Sequence, residues 1–522
     1  MAIAATFCRG QLGLTAPLVQ VEVNLGAGLP MFSIVGLPAT AVKESKERVR
    51  AALTNSGFEF PAGRITVNLA PADLPKEGGR FDLPIALGIL MASRQLQERG
   101  DATAMTREYY GELSLSGELL PVRGLTLAAA HAARAGHEII VPAANLRDTR
   151  IVSQGRTLGA RSLLEVCAQL RGEPVAALQP RSRHGPEPSP AMSQPSLDLA
   201  DIRGQQLPKR ALIIAAAGFH SLLMSGPPGS GKTMLAQRLP ALLPPLSAAE
   251  ALEVATIASI STLDLGAHSF GTRPFRAPHH TASANALVGG GAQARPGEIS
   301  LAHRGVLFLD ELPEFDRRVL ESLREPLENR TVVISRARVQ AQYPAAFQLI
   351  AAMNPCPCGY LGDCTGRCRC TAAQVDAYRA RVSGPLLDRI DLVLEVPRVP
   401  LTDITAARAA RASGAAAPLT STDAAAAVAR ARERQMRRGG CLNGELSHSQ
   451  LQAFATPTPA AQQLLEQVFE RLGLTARSYH RVLRVALTIA DLAGSDVIGP
   501  AHLAEAVQLR RAAGAFSSAP AR

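Results

Sequence analysis

Residues 221–233 read Ser-Leu-Leu-Met-Ser-Gly-Pro-Pro-Gly-Ser-Gly-Lys-Thr, an apolar run closing into a glycine-rich turn that ends in Lys-Thr. The pattern G-x-x-x-x-G-K-[ST] commits this part of the chain to a strand, a tight loop and a helix start. Leu222, Leu223 and Met224 supply the buried strand, and Gly226, Gly229 and Gly231 let successive N–H groups turn inward around an anion. The helix behind them offers unpaired N–H groups and the positive end of its dipole. The predicted nucleotide set is therefore Gly226, Pro227, Pro228, Gly229, Ser230, Gly231, Lys232 and Thr233. Lys232 serves the β- and γ-phosphates of ATP, and Thr233 serves magnesium.

The length of 522 residues suggests about three domains, each able to bury its own core. A net charge of +11 favours polyanionic partners without requiring them, since only five of the 55 basic residues are Lys and the Arg excess can reflect codon usage. No stretch reaches the roughly 20 apolar residues of a membrane span, and Arg9 interrupts the one apolar run near the start. The expectation is a cytoplasmic protein. Five of the eight Cys crowd between positions 356 and 370, which points to a local metal site rather than a disulfide framework.

Residues 1–172 alternate strand-like and helix-like patterns, with strands at 19–23 and 65–69 and helices at 39–56 and 83–94. That is an α/β or α+β domain. Residues 173–196 are Pro-, Ser- and Arg-rich without apolar period, as flexible linkers are. Residues 197–397 hold the nucleotide motif, and 398–522 turn to Ala- and Arg-rich helical patterns. Near the end Leu464, Val468 and Leu472 repeat at helical spacing, as do Val482, Ala486, Ile489 and Ala490.

Val306-Leu307-Phe308-Leu309-Asp310-Glu311 is an apolar strand ending in two carboxylates, about 80 residues after the nucleotide loop. In a parallel sheet such a strand delivers its last residues to the carboxyl edge. Asp310 can then hold magnesium and Glu311 can polarise the attacking water as general base. A third strand, 347–352, leads to Asn354, a polar tip able to orient that water.

The cysteines run Cys356-Pro-Cys358, Cys364, then Cys368-Arg-Cys370. In extended backbone C-x-C puts both thiols on one face, so two such pairs can converge on one zinc ion. Cys356, Cys358, Cys368 and Cys370 are the predicted ligands and Cys364 the spare. Arg336 and Arg338 alternate with apolar residues and so share one side of a strand, where they can track DNA phosphates or simply face water. Adjacent His279 and His280 point apart in a strand and read as turn or packing residues.

Two resemblances follow. Residues 120–142 and Pro75-Lys76-Glu77-Gly78-Gly79 resemble the proteolytic domain of Lon, a ribosomal S5 domain 2-like fold. Aligning the motifs puts Arg80 near the family's catalytic Ser and Thr126 at its catalytic Lys, so the resemblance implies that fold without its chemistry. From Lys232, Asp310, Glu311, Asn354 and the run Ser383-Gly384-Pro385-Leu386-Leu387-Asp388-Arg389, the rest resembles AAA+ P-loop ATPases of the magnesium-chelatase and MCM clade with a helical lid. Asn354 then matches sensor 1, Arg389 the arginine finger that reaches a neighbour's nucleotide, and Arg477 sensor 2, a γ-phosphate contact. Arg389 otherwise reads as an ion-pair partner of Asp388 or Asp391. The runs Arg273-Pro274-Phe275-Arg276-Ala277-Pro278-His279-His280-Thr281, Pro296-Gly297-Glu298-Ile299-Ser300-Leu301-Ala302-His303 and Asn354-Pro355-Cys356-Pro357-Cys358-Gly359 narrow the likeness to the ComM/YifB family. It covers nearly the whole chain.

That resemblance implies a ring-forming DNA helicase, a hexamer, that acts on single-stranded or branched DNA and drives branch migration when incoming DNA is integrated in natural transformation. It also implies pore hairpins at 273–304 and 330–338. A chelatase motor or a protein-remodelling ATPase would share the nucleotide site without acting on DNA.

Overall fold

The computed structural model describes residues 2–74, 76, 78–97, 106–153, 156–174, 197–261, 270–291, 294–336, 339–362, 366–399, 419–472 and 475–517. Residues 175–196 of the linker expected at 173–196, the spare Cys364 and Arg338 lie outside these residues.

The front of the chain is built on alternation. Val19, Val21 and Val23 are buried while their neighbours are not, so the strand has one core face. Strands β1 (Ala2–Arg9), β2 (Leu18–Gly26), β3 (Met31–Val35), β4 (Arg64–Ala70) and β5 (Arg107–Tyr109) join two later ones in a mixed sheet. A small pair, β6 (Glu112–Leu113) and β7 (Leu119–Leu120), stands apart, and β8 (Glu138–Pro142) and β9 (Thr157–Ala160) complete the order β3-β4-β2-β1-β5-β8-β9. The helices expected at 39–56 and 83–94 run Thr40–Asn55 and Asp82–Ala92. The second is buried nearly all round, because it is apolar on every face and lies under both the sheet and the first helix.

Arg9 does more than interrupt an apolar run. Its guanidinium donates to both oxygens of Glu108, which also accepts from the Tyr110 hydroxyl and faces His137 Nδ1 at 2.6 Å. A buried carboxylate so surrounded has its charge compensated. Arg80 reaches the turn that leads to Thr126. The Arg80 guanidinium donates to the Arg123 carbonyl at 2.9 Å, just ahead of the helix Leu125–Ala135 that carries buried Thr126.

The second sheet is parallel throughout. Its strands are β10 (Leu222–Ser225), β11 (Phe275–Arg276), β14 (Val306–Leu309), β17 (Gln348–Met353) and β18 (Leu392–Glu395), in the order β11-β14-β17-β10-β18. β10, β14 and β17 are buried at every position, as strands covered on both faces must be. Two antiparallel pairs leave this sheet: β12 (Gly289–Gly290) with β13 (Arg295–Pro296), and β15 (Thr331–Arg336) with β16 (Val339–Pro344). The front unit rests on the second pair, since Gly13 approaches Ala341 and Ala16 and Leu127 join the core containing Val332, Ile334 and Ala341. Gly124 N–H also donates to Ser259 O.

The last helices, Ser421–Gly439, Pro459–Leu472, Ala476–Leu492 and Pro500–Ser517, form a bundle. The first and third of these pack along the helix Gln206–Gly218 that precedes β10. Val482, Ala486, Ile489 and Ala490 are buried as their spacing predicts. In Pro459–Leu472 Ala461 and Leu465 are fully buried, whereas the expected Leu464 only flanks the core. Among the described residues no helix is long and apolar enough to cross a membrane.

Candidate nucleotide site and the opposite sheet edge

The loop leaving β10 is shaped by close approaches. Gly226 lies against β18, where a Cβ would meet the Val396 carbonyl at 2.3 Å, and Gly229 and Gly231 take positive φ of 73° and 87°. Gly226 N–H donates to Met353 O, tying the loop to the end of β17. Lys232 is buried, and its ammonium donates to the carbonyls of Gly226 and Pro227 at 2.7 and 3.0 Å and to Asn354 Oδ1 at 3.4 Å. Burial lowers its pKa, while the nearby carboxylates of Asp310 and Glu311 pull the other way. Ser230 Oγ is buried without a partner, a polar atom aimed into the loop.

Thr233 Oγ1 donates to Asp310 Oδ2 at 2.8 Å, so the hydroxyl and carboxylate expected on magnesium already meet. Glu311 follows in the left-handed region at φ 52°, a conformation that costs a non-glycine residue about 1 kcal/mol or more and that clusters at functional sites. Its carboxylate is held by His280 Nδ1 at 3.3 Å. The His279 ring lies against that of His280, with centres 4.1 Å apart and planes tilted by 34°. The two rings do not diverge as a strand would make them. They follow β11 in a turn, and both line a cavity of about 300 Å³ with Thr233, Asp310 and Glu311. Sequence spacing gave no hint of this, because the contact depends on β11 lying beside β14.

Asn354 stands two residues before Cys356. The four predicted metal ligands converge: the sulfur atoms of Cys356, Cys358, Cys368 and Cys370 all lie within 4.8 Å of one another. Backbone N–H groups of Tyr360 and Arg369 donate to the Cys358 sulfur and bring its thiol down to about 6, while the crowding of sulfur atoms moves the thiols of Cys368 and Cys370 upward, so without a metal the negative charge settles on Cys358.

Arg389 and Arg477 lie elsewhere. β18 pairs in parallel with β10, Leu222 opposite Leu392, so Arg389 precedes its strand at the amino edge while Lys232 follows its own at the carboxyl edge. The strands between span roughly 13 Å. Arg389 and Arg477 share a cavity of about 450 Å³ with Arg330, Arg481 and Arg484, and no residue of the nucleotide loop lines it. The Arg389 guanidinium meets Glu328 at 2.6 Å rather than the expected Asp388 or Asp391, and its Nε is buried without a partner. Asp391 pairs instead with Arg481 at 2.5 Å and His220 at 3.3 Å. Arg477 is exposed, and among the described residues it has no charge partner. The bundle thus presents Arg477 away from this chain's own loop, contrary to a lid closing on it. Arg336 ends β15 opposite Val339, at the outer end of the hairpin.

Sequence comparison bears on the whole chain. The family described as "Magnesium chelatase, subunit ChlI" matches residues 198–404, "Subunit ChlI of Mg-chelatase" matches 21–145, and "Magnesium chelatase, subunit ChlI C-terminal" matches 419–510. Competence protein ComM of Haemophilus influenzae is 47% identical over 512 residues, 98% of each chain. YifB of Salmonella typhimurium is 47% identical over 514 residues, covering 98% of this chain and 97% of that protein. The magnesium-chelatase 38 kDa subunit of Rhodobacter capsulatus is 27% identical over 35% of this chain. With nearly full-length likeness to the first two and only partial likeness to the third, the chain belongs to the ComM/YifB family of magnesium-chelatase-like AAA+ proteins.

Proposed function

We propose that this protein is an ATP-driven, ring-forming DNA motor, a helicase that promotes branch migration during homologous integration of DNA. The observation that carries the reading is the division of charge between two edges of one sheet. Lys232, Thr233, Asp310 and Glu311 gather at one edge, while Arg389 and Arg477 line an arginine-rich cavity at the other. An arginine that cannot reach its own loop is useful to a neighbour's, and a chain with complementary edges repeats head to tail until it closes. In this reading Lys232 and the loop amides hold the phosphates, Glu311 takes the proton of the attacking water, and Asn354 orients that water. Magnesium, held through Thr233 and Asp310, would neutralise phosphate charge. Arg389 and Arg477 stabilise the charge that develops on the neighbouring subunit's nucleotide. Cys356, Cys358, Cys368 and Cys370 hold zinc, and the front unit is a Lon-like fold lacking the dyad, with Arg80 and Thr126 at its two positions.

DNA as the partner is supported by the excess of basic residues, by the hairpin ending in Arg336, and by the likeness to a protein named for competence. Replacing Arg336 and Arg338 together by Ala tests it. Each arginine that neutralises one phosphate contributes about one to the salt slope of binding. The double variant should bind single-stranded and branched DNA more weakly, with the slope reduced by about two, and lose DNA stimulation of ATP turnover while keeping the basal rate. Equal affinities and equal slopes would mean that the hairpin does not touch DNA.

A further inference from the structure

The cysteine cluster is more than a local staple, because the segment it closes lies against the nucleotide loop. A zinc–thiolate bond of about 2.3 Å implies tetrahedral S···S edges of about 3.8 Å. The observed separations are 3.4 Å for Cys356–Cys358, 3.8 Å for Cys356–Cys368 and 3.7 Å for Cys358–Cys368. Three of the sulfur atoms therefore already stand at the corners such an ion needs, and that of Cys370 lies within 4.8 Å of each.

Both ends of the closed segment return to Asn354. On the entering side, Cys356 is fully buried two residues after it. On the leaving side, Cys370 is followed by Thr371, which caps the helix Ala372–Arg379 through a reciprocal pair of bonds with Gln374. That helix brings buried Tyr378 back to a hydrogen bond with the Asn354 backbone. Inside the segment, Gly359 N–H donates to Cys356 O, and Gly359, at φ 84°, sits on the loop itself: a Cβ there would lie 2.7 Å from Pro228 Cδ. Arg367 stacks over Tyr360 at 5.6 Å and steadies the outer turn. Pro228 is therefore backed by the knuckle, and Lys232 faces an Asn354 whose flanks the knuckle fixes.

We propose that the ion bound by Cys356, Cys358, Cys368 and Cys370 is a working part of the nucleotide site: it holds Gly359 against Pro228 and Asn354 beside Lys232, so that metal loss weakens nucleotide binding. The proposal rests on reading the four thiols as zinc ligands, and the two can fail separately. A structural metal contributes folding energy to the segment it closes. If its loss leaves roughly a tenth of the molecules with the segment in place, apparent nucleotide affinity falls about tenfold.

The test uses the full chain. Elemental analysis should find about one zinc and no iron per chain, and cobalt in its place should show the charge-transfer bands of four thiolates. A fluorescent ADP analogue is then titrated against the protein as purified, after removal of metal by a chelator, after return of zinc, and against Cys368→Ser with Cys370→Ser. The stripped protein and the double variant should bind the analogue about tenfold more weakly, and zinc should restore only the former. Gly359→Ala separates the contact from the metal, since it keeps every cysteine and drives a methyl into Pro228. It should keep its zinc, melt cooperatively and still bind nucleotide more weakly. Absence of zinc from the purified protein overturns the metal. Zinc present and removable, with nucleotide affinity unchanged in the stripped protein and in Gly359→Ala, overturns the coupling.

Discussion

The two edges of the parallel sheet are made from the same strands and could hardly differ more in chemistry. At the carboxyl edge one ammonium donates to two backbone carbonyls and to the Asn354 amide oxygen, and beside it a threonine hydroxyl donates to the Asp310 carboxylate. At the amino edge five arginines surround one cavity, balanced in part by Glu328, Asp391 and Glu445. On the reading proposed above, the first edge grips phosphate through a loop and the second meets negative charge arriving from a neighbouring chain. A strand's direction alone separates them. Residues that follow β10, β14 and β17 lie at one edge, and Arg389, which precedes β18, lies at the other with arginines of the final bundle; in the proposed ring a single chain would carry halves of two different sites.

The largest effect that bears on this contrast is at the loop. Lys232→Ala should abolish nucleotide binding, whereas Glu311→Gln should leave binding nearly intact and slow turnover by about 10² to 10⁴, the usual worth of a general base. Titration of a fluorescent nucleotide and a steady-state phosphate assay read the two apart. A Glu311→Gln enzyme turning over at the normal rate would remove that carboxylate, and its contact with His280, from the chemistry.

Next comes the arginine edge. Arg389→Ala should bind nucleotide normally yet lose about 10³ in turnover, as removal of an arginine finger does. Mixing it with Lys232→Ala sharpens the comparison further, because each variant is intact at the edge the other lacks. If a working site joins the two edges of different chains, the mixture should hydrolyse ATP faster than either variant alone. A rate no greater than the sum of the two would return Arg389 to a structural role beside Glu328 and break the division drawn here.

Much of the carboxyl edge was legible in the sequence, because its motifs are local. Gly226 to Thr233 constrain a loop by residue type, and an apolar run ending in Asp310 and Glu311 constrains where carboxylates emerge. The four cysteines were legible for the same reason, since C-x-C spacing fixes the relative direction of thiols. What escaped were contacts between segments distant in the chain: His280 on Glu311, Gly359 on Pro228, and Arg9 on Glu108. The partner of Arg389 also escaped, since Glu328 is brought near by packing and not by spacing. The placement of Arg477 required knowing along which side of Gln206–Gly218 the final bundle packs, and apolar periodicity gives a helix its buried stripe without naming its neighbour. In the front unit the alternation of Val19, Val21 and Val23 announced a strand, whereas no local pattern announces that Arg80 fills the space before Thr126.

The smallest effect concerns what holds the amino edge in shape. Asp391 is buried, and burial alone would raise its pKa; the Arg481 guanidinium and the His220 hydrogen bond outweigh this and hold the carboxyl below its usual range. A carboxyl whose folded pKa is depressed stabilises the fold above its unfolded value of about 3.9, and that contribution is lost as pH falls toward the folded value. Thermal unfolding should therefore show stability falling away below about pH 4, and Asp391→Asn should flatten this part of the curve. At neutral pH the same variant removes one partner of a buried pair and should cost about 3 kcal/mol. Nucleotide affinity, set at the other edge, should be nearly unchanged, while turnover should fall because Arg389 lies two residues before the altered position. If affinity and turnover fell together, the two edges would be mechanically one site. If neither moved and the acid limb kept its slope, Asp391 would not be what fixes Arg389 in place.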